Sequence, residues 1–124
     1  MNKKSCAIIV AAGSGRRMGG VSKPNIKLLG KTLFEYVLSA FDKSLVDGIV
    51  VVVNEENEKS LRELANGFKK PITLVRGGET RAESVFNGIS ACEDADIICV
   101  HDCARPFITK EIINEIDTDL WWTS

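Results

Sequence analysis

The sequence predicts an α/β domain built on a doubly wound, mostly parallel sheet. Its strand-like segments are apolar throughout, as in the run from Gly48 to Val53, and they alternate with segments of helical period. Strands without polar positions are typical of a parallel sheet that helices cover on both faces. The chain has 124 residues, of which 44% are hydrophobic, and this suits one domain with a buried core.

The first half of the chain predicts two strands and two helices. Cys6 to Val10 is an apolar run that we expect to be a buried strand, and Gly48 to Val53 is the second. Thr32 and Glu35 have the spacing of a capping box, which opens the first helix. The apolar positions of that helix are Leu33, Tyr36, Val37, Ala40 and Phe41. Those of the second helix are Leu61, Leu64, Ala65 and Phe68.

The second half continues the alternation. Ile72 to Val75 predicts a third strand, and Thr80 with Glu83 predicts a second capping box. The helix that follows has the apolar positions Ala82, Val85, Phe86 and Ile89. Asp96 to Val100 predicts a fourth strand, and we expect a last helix from about Thr109.

Three distinctive loops follow predicted strand ends. They are AAGSGRRMG (Ala11 to Gly19), GGETRAES (Gly77 to Ser84) and HDCARP (His101 to Pro106). In doubly wound sheets, ligands bind beyond the carboxyl ends of the strands. We therefore expect the fold to bring these three loops to one edge of the sheet.

Charge is distributed unevenly along the chain. Met1 to Lys31 contains seven basic residues and no acidic one, whereas the rest contains nine basic and 17 acidic residues. The net charge of the whole chain is −1 and its pI is about 5.9, which gives no field suited to a nucleic-acid backbone. Lys3 and Lys4 suit a solvated tail. We expect a small anionic ligand near the first loop and no nucleic-acid partner.

The first loop has the composition of a phosphate cradle. Gly13 and Gly15 let the backbone approach a phosphate, and Arg17 and Lys23 can offset its negative charge. The glycines also resemble the GxGxxG dinucleotide fingerprint, but Gly19 comes one residue late. The acidic residues that follow the second strand, Glu55 and Glu56, lie about 40 positions after Gly15. In the dinucleotide motif this distance is about 20, so the spacing disfavours a nicotinamide cofactor.

The other two loops also carry polar groups with possible functions. Gly78, Arg81 and Ser84 lie at a predicted helix start that can hydrogen-bond a sugar or base, although Arg81 could be a surface charge and Ser84 a solvated hydroxyl. Asp102 lies at a strand end, where a carboxylate beside a polyphosphate normally acts through Mg²⁺. Its alternative role is a cap or a salt bridge to Arg105.

Cysteine usage and hydropathy limit the remaining classes. The cysteines are Cys6, Cys92, Cys99 and Cys103. They have no CxxC spacing, so we expect free buried thiols rather than disulfides, and Cys99 with His101 lacks the partners for a tetrahedral zinc site. No apolar run approaches the roughly 20 residues of a membrane span, and Ala7 to Ala12 is too short for a signal peptide. We expect a cytoplasmic protein that does not bind membranes.

Four segments together resemble one enzyme family. They are AAGSGRRMG, SKPNIKLLGKTLFEY, GGETRAESVFNGI and VHDCARPF, in this order along the chain. The chain thereby resembles the 2-C-methyl-D-erythritol 4-phosphate cytidylyltransferases of the non-mevalonate isoprenoid pathway. The resemblance implies a Rossmann-like nucleotidyltransferase fold and transfer of CMP from CTP to that polyol phosphate, with release of pyrophosphate. It also implies Mg²⁺ as the cofactor and a homodimer for the full-length protein.

The resemblance implies roles for individual residues. Arg17 and Lys23 would stabilise the transition state at the α-phosphate of CTP, with Lys27 as a rival to Lys23. Asp102 would hold Mg²⁺ and the ribose, and Arg105 would lie near the second substrate. The nucleotide-binding residues that it implies are Ala11, Ala12, Gly13, Ser14, Gly15, Gly78, Arg81, Ser84, Asp102 and Cys103. Cys103 stands where alanine is usual in the family.

The resemblance covers residues 1–117, the nucleotide-binding part, and stops at DTDLWWTS. We interpret residues 118–124 as an atypical tail produced by truncation or a frameshift, because Trp121 and Trp122 look unlike a sheet edge. The absent half would hold a second metal carboxylate, the residues that grip the sugar phosphate, and a dimerisation arm. Two alternatives stay open, a ribitol 5-phosphate cytidylyltransferase and a catalytically incompetent CTP-binding fragment.

Overall fold

The structure is a computed structural model that describes residues 4–12, 17–18, 21–22, 27–92, 95–103 and 122–123. The strands are β1 (Ser5–Val10), β2 (Arg17–Met18), β3 (Val21–Ser22), β4 (Lys27–Leu28), β5 (Lys31–Thr32), β6 (Gly48–Val53), β7 (Ile72–Arg76), β8 (Ile97–Asp102) and β9 (Trp122–Thr123). The helices are α1 (Leu33–Asp42), α2 (Glu58–Ala65) and α3 (Arg81–Ala91). The helix predicted from about Thr109 lies outside the described residues.

The centre of the molecule is a five-stranded sheet with the order β7, β6, β1, β8, β9. Every neighbouring pair in it is parallel. Two small antiparallel ribbons, β2 with β3 and β4 with β5, lie outside this sheet. The strands alternate with helices along the chain, which confirms the predicted α/β class and the mostly parallel, doubly wound sheet.

Side chains that alternate along β1 and β6 build two cores on opposite faces of the sheet. Ala7 and Ile9 pack with the buried residues of α1 and α2. Ile8 and Val10 pack on the other face, where the partly buried apolar residues of α3 cover them. Because both faces are covered, every position of these strands must be apolar. This explains the continuous apolar runs in the sequence.

The start of α1 confirms the first capping box. The Glu35 N–H donates to Thr32 Oγ1 at 3.1 Å, and the Thr32 N–H donates to Glu35 Oε1 at 2.9 Å. The buried residues of this helix are Phe34, Val37, Leu38 and Phe41. The predicted apolar face was therefore partly wrong, since Leu33 and Tyr36 are only half-buried, whereas Ala40 packs against the core as predicted. Nearly every position in this stretch is apolar, so two overlapping stripes satisfy the same helical period.

The other two helices also differ from prediction. Helix α2 ends at Ala65, and Phe68 packs against the core from beyond the helix. In α3 the predicted apolar position Phe86 is 67% exposed and Ala82 is exposed, whereas Ser84 and Gly88 are buried. A helix that lies this close to a sheet must present small residues. The other two predicted positions, Val85 and Ile89, are half-buried against the core, and the small residues Ser84 and Gly88 complete the buried face of α3.

Strand β8 extends beyond its predicted end at Val100, so that His101 and Asp102 lie within the strand. Beside it, β9 adds an edge to the sheet with Trp122 opposite Cys99. Two residues of the predicted atypical tail thus pair with the sheet, while the division at residue 117 stays a prediction. Within the described part of the chain, the helices are too short or too polar to cross a membrane.

All four cysteines are free thiols, as the sequence predicts. Cys6, Cys99 and Cys103 are buried, and Cys92 is half-buried. Burial raises the pKa of Cys99 to about 12. These thiols fill apolar space in the two cores, and no trio of potential metal ligands gathers among the described residues.

Candidate functional site

Main-chain hydrogen bonds hold the starts of the three loops together at one edge of the sheet. The Ala11 N–H donates to the Val52 carbonyl oxygen at 2.8 Å, and the Cys103 N–H donates to the Val10 carbonyl oxygen at 2.9 Å. The Gly77 N–H donates to the Val53 carbonyl oxygen at 2.9 Å. Each loop therefore begins at the carboxyl end of a strand, beside the next loop, as the topology predicts.

The first two loops touch at Gly77. A Cβ atom built on Gly77 would lie 2.5 Å from Ser84 Oγ and 2.6 Å from Ala12 Cβ, so only glycine fits. The Gly78 N–H donates to Ser84 Oγ at 3.2 Å. Ala12, Gly78 and Ser84, which the sequence assigned to one site, thus lie together in the structure.

Ser84 is buried, with 3% of its surface exposed. The alternative interpretation of Ser84 as a solvated hydroxyl was therefore wrong. A hydroxyl has one hydrogen and two acceptor lone pairs, so Ser84 keeps its hydrogen available after it accepts from Gly78. Arg81, the first residue of α3, is exposed beside it.

The N-terminus of α3 lies behind the second loop. Thr80 caps the helix, because its hydroxyl accepts from the Glu83 N–H at 3.1 Å. Glu83 Oε1 accepts from the Thr80 hydroxyl at 3.4 Å. The bond from the N-cap N–H to the glutamate, which completes the box in α1, does not belong to this cap, so the second capping box is only partly confirmed. The exposed N–H groups of a helix start favour acceptor or anionic groups of a ligand.

The third loop begins at Asp102, which is half-buried at the end of β8 and opposite Val10. The neighbouring side chains are in the core. His101 packs edge-on against Phe41 with ring centroids 5.7 Å apart, and Cys103 is 1% exposed. Burial, followed by the charge of Asp102, raises the pKa of the Cys103 thiol. The Cys103 side chain is therefore part of the core, and its predicted contact with the nucleotide stays a prediction.

Sequence reasoning missed one residue of this edge, Asn57. Its Nδ2 donates to the Ala11 carbonyl oxygen at 2.8 Å from the turn between β6 and α2. The signal in the sequence was a pair of asparagines, Asn54 and Asn57, three positions apart directly after a buried strand. Asparagine commonly forms such local turns, so the pattern alone did not indicate a contact with another loop.

Several predicted site residues lie outside the described residues. They are Gly13, Ser14, Gly15, Lys23 and Arg105. Arg17 is described as a member of β2, with Ser22 opposite it. Lys27, the rival of Lys23, is exposed in β4. The assignment of the phosphate-binding cations therefore stays a prediction.

The comparisons with known proteins point to one family. The family described as IspD: 2-C-methyl-D-erythritol 4-phosphate cytidylyltransferase matches residues 5–120. A protein of that name from Caldicellulosiruptor bescii is 41% identical over 120 residues, which cover 94% of this chain and 54% of the relative. One from Dehalococcoides mccartyi is 42% identical over 118 residues, which cover 93% of this chain and 52% of the relative.

A solved structure agrees with these relatives. The crystal structure of 4-diphosphocytidyl-2C-methyl-D-erythritol synthase from Anaerococcus prevotii has a TM-score of 0.79 to this chain at 30% identity, and the match covers 90% of this chain and 48% of that one. The chain thus spans about half the length of the curated relatives it matches. On this match over residues 5–120, the chain belongs to the 2-C-methyl-D-erythritol 4-phosphate cytidylyltransferase family.

Proposed function

We propose that this chain is the nucleotide-binding part of a cytidylyltransferase that moves CMP from CTP to 2-C-methyl-D-erythritol 4-phosphate and releases pyrophosphate. The observation that carries the proposal is the convergence of Ala12, Gly78 and Ser84 at one sheet edge in a member of this family. The reaction is a step of the non-mevalonate isoprenoid pathway.

The second loop is the part that would read the nucleoside. Around Gly77 the packing is tight, because Ala12 and Ser84 both approach its backbone. Polar backbone groups of Gly78 and the hydroxyl of Ser84 can hydrogen-bond a base or ribose. A pyrimidine needs less space than a purine, so a base that binds beside this close packing would be a pyrimidine, and the family match makes CTP the expected nucleotide.

The phosphates would lie against the first loop. Arg17 and Lys23 would balance the charge that develops on the α-phosphate and on the leaving pyrophosphate. The phosphate oxygen of the polyol attacks the α-phosphorus in line, the bond to pyrophosphate breaks, and no covalent intermediate with the protein is required. By analogy with an oxyanion donor, each cation would contribute about 3 to 4 kcal/mol to the transition state.

Asp102 is the described residue best placed to hold Mg²⁺. It is a half-buried carboxylate at the end of β8, opposite Val10. Protein Mg²⁺ sites beside polyphosphates commonly use one or two carboxylates and take their other ligands from phosphates and water, so this donor fits the ion. When bound, Mg²⁺ would neutralise phosphate charge. Asp102 would orient the ion and the ribose.

Arg105 would face the polyol phosphate, and the full-length protein would be a homodimer, as the family resemblance implies.

We place the protein in the cytoplasm because its four cysteines are free thiols, which persist in a reducing compartment. The partners of this chain would therefore be CTP, Mg²⁺ and a polyol phosphate.

Isothermal titration with CTP and Mg²⁺ tests the proposal. Wild type should bind CTP, and Arg17→Ala and Lys23→Ala should each weaken binding, since each removes a cation from the phosphates. Lys43→Ala, at the exposed C-cap of α1, is the matched control, and Lys27→Ala tests whether the rival lysine takes the role of Lys23. Unchanged CTP affinity in both Arg17→Ala and Lys23→Ala would contradict the assigned cations.

Pyrophosphate release then separates the candidate functions. Steady release on addition of 2-C-methyl-D-erythritol 4-phosphate would support the transferase. Release with ribitol 5-phosphate instead would favour the other acceptor. CTP binding without release with either acceptor would support the CTP-binding fragment, the alternative that the sequence left open.

A further inference from the structure

The turn after β6 contains a closed hydrogen-bond arrangement around Asn57. The Asn54 N–H donates to Asn57 Oδ1 at 2.9 Å, and the Asn57 N–H donates to Asn54 Oδ1 at 2.9 Å. Asn57 Nδ2 donates to the Ala11 carbonyl oxygen at 2.8 Å. The carboxamide is therefore hydrogen-bonded at both its oxygen and its nitrogen. Only 1% of the Asn57 surface is exposed, so these hydrogen bonds are shielded from water.

The carboxamide occupies a definite place in the sheet. In a parallel ladder, a residue donates to one residue of the neighbouring strand and accepts from the residue two positions further on. The Ala11 N–H donates to the Val52 carbonyl oxygen, so the next rung would run from the Asn54 N–H to the Ala11 carbonyl oxygen. Here Asn57 Oδ1 accepts from that N–H, and Asn57 Nδ2 donates to that carbonyl oxygen. The side-chain amide is inserted between them like a peptide group.

This insertion marks the point where β1 and β6 separate. Their last paired residues are Val10 and Val52, and beyond them the chains lead into different loops. Ala11 and Ala12 lead from β1 towards the glycine-rich loop, and Ala12 also packs against Gly77. The direction of this short segment therefore affects both nucleotide-binding loops.

The side chain of Asn57 does not cap α2. It stands at the N-cap position of α2, where asparagine side chains commonly accept from the first turn. Its side chain makes no such capping hydrogen bond. The carboxamide instead bridges the Asn54 N–H and the Ala11 carbonyl oxygen. Its hydrogen bonds therefore act on the loop after β1 rather than on the helix.

We infer that Asn57 is a positioning residue for the nucleotide, because its carboxamide bridges β6 to the Ala11 carbonyl and sets the direction in which Ala11 and Ala12 enter the phosphate loop. The inference rests on the proposed function, since CTP is the ligand that these loops would bind. Asn57 itself touches neither reacting group.

Asn57→Asp is the direct test. An aspartate has the same shape and can still accept from the Asn54 N–H, but it places an oxygen against the Ala11 carbonyl oxygen, where Nδ2 now donates. We expect CTP affinity to fall roughly ten-fold, the scale of one lost buried hydrogen bond. Isothermal titration with CTP and Mg²⁺ measures it.

Two variants of the same helix are the controls. Asn66→Asp makes the same chemical change at the exposed C-cap of α2. Leu61→Val removes a buried methylene from α2, and so lowers stability while the Asn57 carboxamide stays in place. Both should bind CTP within about two-fold of wild type, because neither alters the rung.

A spectroscopic readout separates positioning from general loss of stability. The ¹³C resonance of the Ala11 carbonyl and the ¹⁵N resonance of the Ala12 amide, in the absence of CTP, should shift in Asn57→Asp and stay in place in both controls. Wild-type affinity in Asn57→Asp, or an equal loss in Leu61→Val, would overturn the inference alone. Failure of the wild type to bind CTP would overturn the proposed function, and the nucleotide role of Asn57 with it.

Discussion

At the scale of single residues, Ser84 joins a helix to a loop. Its hydroxyl accepts from the Gly78 N–H, and its oxygen lies where any side chain on Gly77 would have to be. The sequence indicated that Ser84 could contact a ligand. The structure adds that the same oxygen first fixes the loop that would surround that ligand.

Ser84→Ala should weaken both the loop and the site. The Gly78 N–H would lose its partner, which costs about 1 to 3 kcal/mol when the group is shielded from water. We expect a CTP affinity about ten-fold lower, together with a lower free energy of unfolding. Titration calorimetry and urea unfolding measure the two effects.

Ser90→Ala is the matched control for Ser84→Ala. Ser90 lies on the same helix, is exposed, and donates its hydroxyl hydrogen to the Phe86 carbonyl oxygen at 3.0 Å. Its removal should change stability by less than about 0.5 kcal/mol and leave CTP binding unaltered. Similar losses in both variants would show that Ser84 has no special role.

The sequence predicted which residues belong to the site, but not which way their side chains point or which distant residues they contact. Ser84 and Gly78 were assigned to one site because their spacing places them at a helix start. The direction of the Cys103 side chain depends on the register of β8, and the contact of Asn57 with Ala11 depends on a turn 46 positions away. Neither is visible in a local pattern.

At the scale of elements, α3 depends on Gly88 to approach the sheet. A Cβ on Gly88 would lie 2.7 Å from Ile8 Cγ2 and 3.1 Å from Val52 Cγ2. Alanine is the better helix former by about 1 kcal/mol, whereas overpacking a core typically costs about 1 to 3 kcal/mol. Gly88→Ala should therefore lower the free energy of unfolding, as measured by urea denaturation.

Gly67→Ala is the corresponding control. The nearest atom to a Cβ at Gly67 is the Leu64 carbonyl oxygen at 3.8 Å, which is ordinary contact. Alanine there should be neutral or slightly stabilising, because it restricts the unfolded chain. A Gly88→Ala variant as stable as Gly67→Ala would mean that α3 does not need its close approach.

The link between α2 and β7 predicts a pH dependence. Glu58 is hydrogen-bonded to Arg76 on β7 and to Arg62 at 3.0 Å on its own helix. These contacts, with Arg76 first, lower the pKa of Glu58 below its ordinary value. A carboxyl whose pKa is lower in the folded state contributes stability above its unfolded pKa, and that contribution is lost as pH falls through the folded pKa.

Glu58→Gln should therefore be less stable than wild type near neutral pH, and the difference should shrink on acidification. Urea unfolding at a series of pH values measures this difference. Glu63→Gln, an exposed position of the same helix, is the control. A Glu58→Gln effect that grows as the pH falls would have the wrong sign for this carboxylate.

The helices also show that the spacing of apolar residues does not always predict which face of a helix is buried. The start of α1 followed from its capping box, but its buried face did not, because apolar residues occupy two adjacent stripes. In α3 the buried positions are a serine and a glycine, which hydrophobicity would place at the surface. Only the distance between helix and sheet decides such a face.

At the scale of the whole molecule, CTP should stabilise both cores together. The three loops of the site extend from β1, β7 and β8, strands that the two cores share. A ligand that binds only the folded state, at about 100 times its Kd, adds about 2.7 kcal/mol to the free energy of unfolding. CTP with Mg²⁺ should therefore raise the Tm by several degrees.

Thermal scans with UTP or ATP in place of CTP provide the comparison. Both carry the same triphosphate, so a shift specific to CTP would come from the base-reading loop around Gly77 and Ser84. Equal shifts with all three nucleotides would contradict base recognition there while leaving phosphate binding in place.

The architecture as a whole was readable from the sequence. Continuous apolar runs predicted four of the five strands of the central sheet, whereas the short strands β2 to β5 were not predicted. The rule that ligands bind at carboxyl ends placed the loops at one edge, as the hydrogen bonds of Ala11, Gly77 and Cys103 confirm. The pairing of Trp122 and Thr123 with β8 was not readable, because a two-residue strand leaves no period to detect.

The pairing of β9 with β8 can be followed by tryptophan fluorescence. The only tryptophans of the sequence are Trp121 and Trp122, and Trp122 lies in β9 at the far edge of the sheet from β7. We expect intrinsic tryptophan emission to change when this outermost strand detaches, whereas far-ultraviolet circular dichroism records the helices. If β9 detaches before the cores melt, the emission signal will change first, and the interval between the two signals measures how independently the edge of the sheet behaves.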